Sequence, residues 1–156
     1  MDGAPVTVGA LVQANFGGVL TVRGVPMPVG ELIPGAGRHE QPAGSCMIVV
    51  ATDAPVDARQ LGRLARRAIF AMGRAGASYS HGSGDYAIAF TTAPPGVPLL
   101  PDEALNPVFA AVMDSVEEAL LNSLFTATTT TGFRGRTSHA VPYDRLPAPD
   151  GRTALP

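Results

Sequence analysis

The sequence predicts an α+β domain, a partly antiparallel sheet covered by helices, and three observations carry that prediction. Residues 5–16, PVTVGALVQANF, set Val6, Val8 and Ala10 at period two and follow them with Leu11-Val12, the pattern of a strand buried on at least one face. Residues 46–53, CMIVVATD, are almost continuously apolar and β-branched, as in a central strand covered on both faces. Two later segments repeat their apolar residues at helical spacing.

The elements follow in order. Gly17-Gly18 closes the first strand, and Val19–Val25 is expected to pair back on it as a hairpin whose end Pro26 and Pro28 confine to a sheet edge. Residues 30–44 hold four Gly and two Pro and are expected to form an exposed loop. Asp57 can cap a helix that carries Leu61, Leu64, Ala65, Ala68, Ile69 and Met72 on one face and Arg59, Arg63, Arg66 and Arg67 on the solvated face opposite. Gly73 and Gly76 weaken its end. The small-residue loop SYSHGSGDY then leads into a strand over Asp85–Thr91, and a Pro-rich connector over Ala93–Pro101 follows. Asn106 and Pro107 read as N-cap and first residue of a second helix, with Phe109, Val112, Met113, Val116, Leu120 and Leu124 inward and Glu117 and Glu118 toward water. Beyond it come β-prone threonines, and the last ten residues are expected to be mobile.

Composition narrows the function. A chain of 156 residues with 46% apolar and 15% charged residues is large enough for its own core and too apolar to be disordered. Gly 18 and Pro 15 make loops numerous, which argues against a bundle or coiled coil. All basic residues are Arg, the net charge is −2, and the arginine cluster does not extend into a face that would neutralise many phosphates, so no nucleic-acid partner is expected. The lone Cys46 excludes an intrachain disulfide and a multi-thiolate zinc site, and His39, His81 and His139 are too far apart to form a metal motif; no cofactor is expected. With no 18-residue apolar run and no signal-peptide pattern, the expectation is a soluble, cytoplasmic protein without a membrane partner.

Three short features carry the chemistry: Gly44-Ser45 where the loop enters the apolar strand, GSGD over Gly82–Asp85, and VQANFG over Val12–Gly17. Together with SCMIVVATDAP, QLGRLARRA and GSGDYAIAF in that order, they resemble the DmpA-type aminopeptidase family, the L-aminopeptidase/D-esterases that include β-aminopeptidases. The resemblance covers nearly the whole chain and is weakest after Pro142. It implies an αββα sandwich of the type shared with ornithine acetyltransferases, here only part of it. It also implies a precursor that cuts itself at Gly44-Ser45 and frees Ser45 as an N-terminal nucleophile.

Such a site is chemically reasonable, because a serine hydroxyl needs a base and a freed α-amine, with a reference pKa of about 7.7 to 8.0, can act as one near neutrality. By the same resemblance Ser83 and Asp85 match the family's second serine and its acidic partner. In a strand-like segment they project to one side, so that Ser83 is expected to hydrogen-bond the nucleophile while Asp85 holds the amine or the hydroxyl network. Asn15 matches the asparagine of the oxyanion hole, and the glycines around Ser83 would let backbone come close to substrate. Strand alternation points Cys46 away from Ser45, as a buried inert thiol. His81 is expected to be an exposed loop histidine.

The family's segment before the cleavage point is far longer than the 44 residues here. Residues 1–44 are therefore expected to be the end of the family's α-portion, 45–156 its β-portion, and the two together one domain. The tyrosine that lines the family's site belongs to the absent region and has no counterpart. Two helices cover one face of the sheet, so an exposed apolar face is expected, and with it a homo-oligomer or a missing α-portion as partner. The leading function is a serine aminopeptidase or amidase acting on short peptides, amides or esters through an acyl-enzyme. The alternatives are a non-catalytic fragment that only assembles, and an acetyltransferase of the same fold, which Ser45 in place of threonine disfavours.

Overall fold

Alternation along Ser45–Thr52 (β4) sets the architecture: Cys46, Ile48, Val50 and Thr52 are buried, whereas Met47 is exposed and Val49 and Ala51 only half-buried. The computed structural model describes residues 5–33 and 44–146. Within them β4 is the central strand of a three-stranded sheet, flanked by Val8–Asn15 (β1) and Tyr86–Thr91 (β5). β1 runs antiparallel to it, with Asn15 opposite Ser45 and Leu11 opposite Val49. β5 runs parallel to it, with Met47 opposite Tyr86 and Val49 opposite Ile88. A parallel pair needs a crossover, and Ala58–Met72 (α2) supplies it. Asp57 caps this helix by accepting the N–H of Gln60 at 2.7 Å, while Gln60 Oε1 accepts the N–H of Asp57 at 3.1 Å, a reciprocal capping box.

Leu105–Phe125 (α3) lies on the same side of the sheet as α2, and the two helices close one core. Leu64, Ala68 and Met72 of α2 and Leu105, Val112, Val116 and Leu120 of α3 are fully buried against Cys46, Ile48 and Val50. Burying each of the larger side chains contributes about 1.5–3 kcal/mol, so this layer accounts for the fold's existence. The other face of the sheet is open. Leu11 is 71% exposed, Ile88 61%, Tyr86 65%, Phe90 44% and Met47 43%. The expectation of cover on both faces of β4 therefore holds for one face among the described residues, as the helix count implied.

Several local expectations are corrected. Val19–Val25 does not pair with β1; instead Thr21–Val22 (β2) and Val25–Pro26 (β3) pair with each other around Arg23-Gly24, both at positive φ, a turn that suits a two-residue hairpin. The segment before it is held elsewhere, because Val19 N–H donates to Gly76 O and Ser78 N–H to Gly17 O, both at 3.0 Å. Within the expected loop 30–44, a short helix Val29–Leu32 (α1) reaches into its start; residues 34–43 lie outside the described residues, as do the last ten.

Asn106 and Pro107 sit inside α3 rather than at its cap, since a 3-10 turn over Asp102–Ala104 runs directly into the helix. Pro107 remains within the first turn, where its missing N–H costs nothing. The arginine face of α2 is not simply solvated: the guanidinium groups of Arg63 and Arg67 stack on the Phe109 ring at 5.0 and 3.8 Å, and Arg59 and Arg63 pair with Asp102. The hydrogen bonds from Arg59 and Gln60, with the charges of Arg59 and Arg63, hold the Asp102 carboxyl well below the usual carboxylate range. Glu117 likewise turns from water to Arg74, which it shares with Asp114. The threonine run forms half of a small hairpin, Thr130–Thr131 (β6) with Thr137–Ser138 (β7).

Candidate active site

The strand register brings the sequence's separate motifs to one end of the sheet. Ser45 opens β4, Asn15 closes β1 directly across from it, and the Ser83-Gly84-Asp85 turn leads into β5 on the other side. Because side chains alternate, Ser45 shares the open face with Met47 and Val49, and Cys46 points the opposite way into the core at 0% exposure. Burial pushes the Cys46 thiol up to about 11, with the nearby Asp85 carboxylate adding to the effect. A thiol held protonated in an apolar layer is a packing group, not a nucleophile.

Gly44 is buried against the end of β1. A Cβ there would run into the carbonyl oxygen of Asn15 and stand 2.9 Å from Phe16 Cα, so only glycine lets the chain enter β4 at this point. The close approach places the Gly44-Ser45 peptide beside Asn15.

On the other flank the Asp85 carboxylate makes two bonds. Oδ1 accepts the backbone N–H of Cys46 at 3.0 Å, and Oδ2 accepts the hydroxyl of Ser83 at 2.9 Å. The Ser83 hydroxyl thus bonds Asp85 in this structure, and Ser45 Oγ accepts from the Gly84 N–H at 3.3 Å. Asp85 serves as the anchor of the network, holding the backbone next to Ser45 and the second hydroxyl at once. Gly84 is the group sequence reasoning passed over as a donor: GSGD suggested backbone approach, yet only the folded turn aims its N–H. His81 is exposed in the same loop, and no bond to the network is made by it.

Asn15 also borders an apolar cavity of about 640 Å³ lined by Phe16, Leu20, Met27, Leu120 and Leu124 among others. Among the described residues no group of three or more His, Cys, Asp or Glu side chains could hold a metal ion, and no helix is long and apolar enough to cross a membrane. The arrangement sets the Ser45 hydroxyl and the Gly44 carbonyl on one backbone N–H, that of Gly84, beside a carboxylate fixed by two hydrogen bonds, and a hydroxyl, a carboxylate and a backbone donor are groups that acyl transfer uses.

Comparison with known proteins shows the family and the fold to which the chain is similar. The model of peptidase family S58 matches residues 1–138. The β-peptidyl aminopeptidase BapA of Sphingosinicella microcystinivorans is 39% identical over 95% of this chain and 44% of its own length. Among solved structures, the PH0078 protein of Pyrococcus horikoshii OT3 superposes with a TM-score of 0.77 at 40% identity, over 90% of this chain and 41% of its own. The L-aminopeptidase D-Ala-esterase/amidase of Ochrobactrum anthropi, described as a prototype of the serine aminopeptidases and a variant of the Ntn hydrolase fold, superposes with a TM-score of 0.71 at 39% identity, over 87% and 40%. The α+β layering found here is thus that of these structures, and the chain spans less than half the length of the relatives it matches.

Proposed function

The chain belongs to peptidase family S58, and from that premise we propose that it is the nucleophile-bearing part of a serine aminopeptidase or amidase that matures by cutting its own Gly44-Ser45 bond. The observation that carries the reading is the position of Ser45. It stands at the mouth of the central strand, opposite Asn15, with its Oγ on the Gly84 N–H and its following peptide gripped by Asp85.

In self-cleavage the Ser45 hydroxyl oxygen adds to the Gly44 carbonyl carbon, and the carbon–nitrogen bond breaks as the proton passes to the departing Ser45 nitrogen. The product is an ester of Gly44 on Ser45, and water then releases the Gly44 carboxylate. The freed α-amine titrates near neutrality and acts as the base for its own hydroxyl. A substrate acyl group next takes the place of Gly44, forms an ester on Ser45 with loss of its amine or alcohol, and is hydrolysed. Asn15 is assigned as an oxyanion donor, and Ser83 with Asp85 as the frame that positions the nucleophile.

The substrates proposed are short peptides, amides or esters, β-peptides included, following the names of the relatives. The open face of Leu11, Met47, Ile88 and Phe90 supports a second element of the proposal, that the working protein covers this face with a further sheet or with another copy of the chain. Intact mass and N-terminal sequencing of the purified chain test the reading. Two species, one beginning Ser45-Cys46-Met47, are expected; a single uncut species overturns self-cleavage by this chain.

A further inference from the structure

Residues 126–139 leave the end of α3, turn through the β6–β7 hairpin and return, and every one of them is exposed. The bonds of this arm are its own. The Thr131 and Thr137 hydroxyls meet at 3.0 Å, Gly132 N–H donates to Arg136 O at 2.8 Å, and Ala140 N–H donates to Thr129 Oγ1 at 3.1 Å. Among the described residues no hydrogen bond joins residues 127–139 to the sheet or the helices. A two-stranded hairpin by itself is marginal in water, so an arm built this way is completed by a surface that it lies on.

Its tip carries one large apolar group. Arg134 and Gly135 take positive φ, 58° and 71°, and turn the chain so that Phe133 points outward. At 81% exposure it is the most exposed large apolar side chain among the described residues, with the Arg134 guanidinium 5.1 Å from its ring centroid. An aromatic ring held at the end of a polar arm has the form of an interface anchor, a residue type that acts by filling an apolar pocket.

The chain itself supplies such a pocket. The cavity of about 640 Å³ walled by Phe16, Leu20, Met27 and Leu120 has room for a phenyl ring. Leu124, in the last turn of α3, and Val141, just past the return of the arm, line it as well, so the root of the arm and the cavity are neighbours while the tip is carried away. Charge agrees with this pairing. Between residues 126 and 142 the arm has Arg134 and Arg136 and no acidic residue, whereas Glu31 is exposed on α1 beside the lining residues Val29 and Gly30.

We infer that the chain pairs with a second copy by exchanging arms, Phe133 of each copy entering the apolar cavity of the other with Arg134 and Arg136 toward its Glu31. A reciprocal exchange about a two-fold axis closes on itself and does not propagate into a fibre. The fourteen exposed arm residues and the sixteen that line the cavity bring each side to the roughly 20–30 residues of a standard interface. Asn15 belongs to the same cavity wall, so the second copy packs beside the proposed site, although the pairing does not depend on self-cleavage.

The test places p-benzoylphenylalanine at residue 133 of the full chain, mixes unlabelled with heavy-isotope-labelled copies, irradiates, and maps the products by tandem mass spectrometry. A mixed-isotope link from residue 133 of one copy to residues 16–20 or 120–124 of the other is expected. A link within one copy, a link to any other segment, such as the open sheet face around Leu11 and Ile88, or the absence of a linked dimer overturns the proposal. Phe133→Ala gives a second measurement, and the exposure of this side chain in the single copy means that circular dichroism should not change. Sedimentation equilibrium is expected to show dimerisation weakened by about thirtyfold or more, with Phe133→Leu between the two. An unchanged dimerisation constant in Phe133→Ala overturns the anchor role and the exchange with it.

Discussion

The Asp85 carboxylate accepts the backbone N–H of Cys46 at 3.0 Å, and so ties the loop before β5 to the residue that follows the proposed nucleophile. Its other oxygen takes the Ser83 hydroxyl at 2.9 Å. Asp85→Ala removes both acceptors and leaves an N–H on a fully buried residue without a partner, a change worth about 1–3 kcal/mol of stability. Asp85→Asn keeps one acceptor oxygen and is expected to fold nearly as well, yet to cleave and hydrolyse about tenfold or more slowly, as loss of a charge-assisted bond implies. Urea melts separate the two variants, and turnover at saturating substrate shows whether kcat falls while KM holds.

Ser45→Ala removes the only hydroxyl that accepts from Gly84 in this network. The side chain is half-buried and small, so stability is expected to change by less than about 1 kcal/mol, while cleavage and hydrolysis are both abolished. Residual hydrolysis in the purified variant would place the nucleophile elsewhere.

Gly44→Ala is a steric test of the junction. The added Cβ meets the Asn15 carbonyl oxygen and Phe16 Cα, both backbone atoms that cannot step aside. A loss of about 1–3 kcal/mol is expected from overpacking, together with a misplaced scissile carbonyl and slow cleavage. Thermal melts beside mass spectrometry report the two effects independently.

The open sheet face predicts association. Leu11 and Ile88 flank Val49 on neighbouring strands and are 71% and 61% exposed. The double variant Leu11→Gln/Ile88→Thr keeps strand-compatible residues and removes the two most exposed aliphatic groups from that face. Light scattering should find the parent associated and the variant shifted toward monomer; a monodisperse parent monomer would contradict the prediction.

Alkaline pH should weaken the fold through Cys46. Its thiol ionises near 9 in an unfolded chain and at about 11 in the core, so the folded state holds its proton more tightly. The contribution is complete below pH 9 and is lost as pH rises toward 11, where unfolding releases the proton. Between pH 7.5 and 10.5 the parent is expected to lose about 2 kcal/mol more than Cys46→Ala, read from urea melts at both values. Equal losses would mean the thiol is not held in the apolar layer.

Local patterns carried most of the fold. The periodicities of 5–16 and 57–72, and the apolar run from Cys46, each report on neighbours within one element, and each element formed where expected. The failures were long-range. Nothing within Val19–Val25 says that Gly17 and Val19 bond to residues 76–78 instead of letting the segment pair with β1. Nor does the spacing of Arg63 and Arg67 announce a Phe109 ring on another helix.

The sequence by itself determined that a glycine precedes Ser45, that GSGD precedes the last long strand, and that two amphipathic helices accompany three main strands. Those are properties of residue type and order, to which the likeness to a known family adds their meaning. Tertiary structure alone decided which groups meet. Register put Asn15 opposite Ser45, strand alternation put Ser45 on the open face and Cys46 in the core, and the turn before β5 gave the hydrogen bond at Ser45 to the Gly84 backbone rather than to the Ser83 hydroxyl. A backbone N–H is present at every residue but proline, so no pattern of side chains marks the one that matters; only the path of the folded chain aims it.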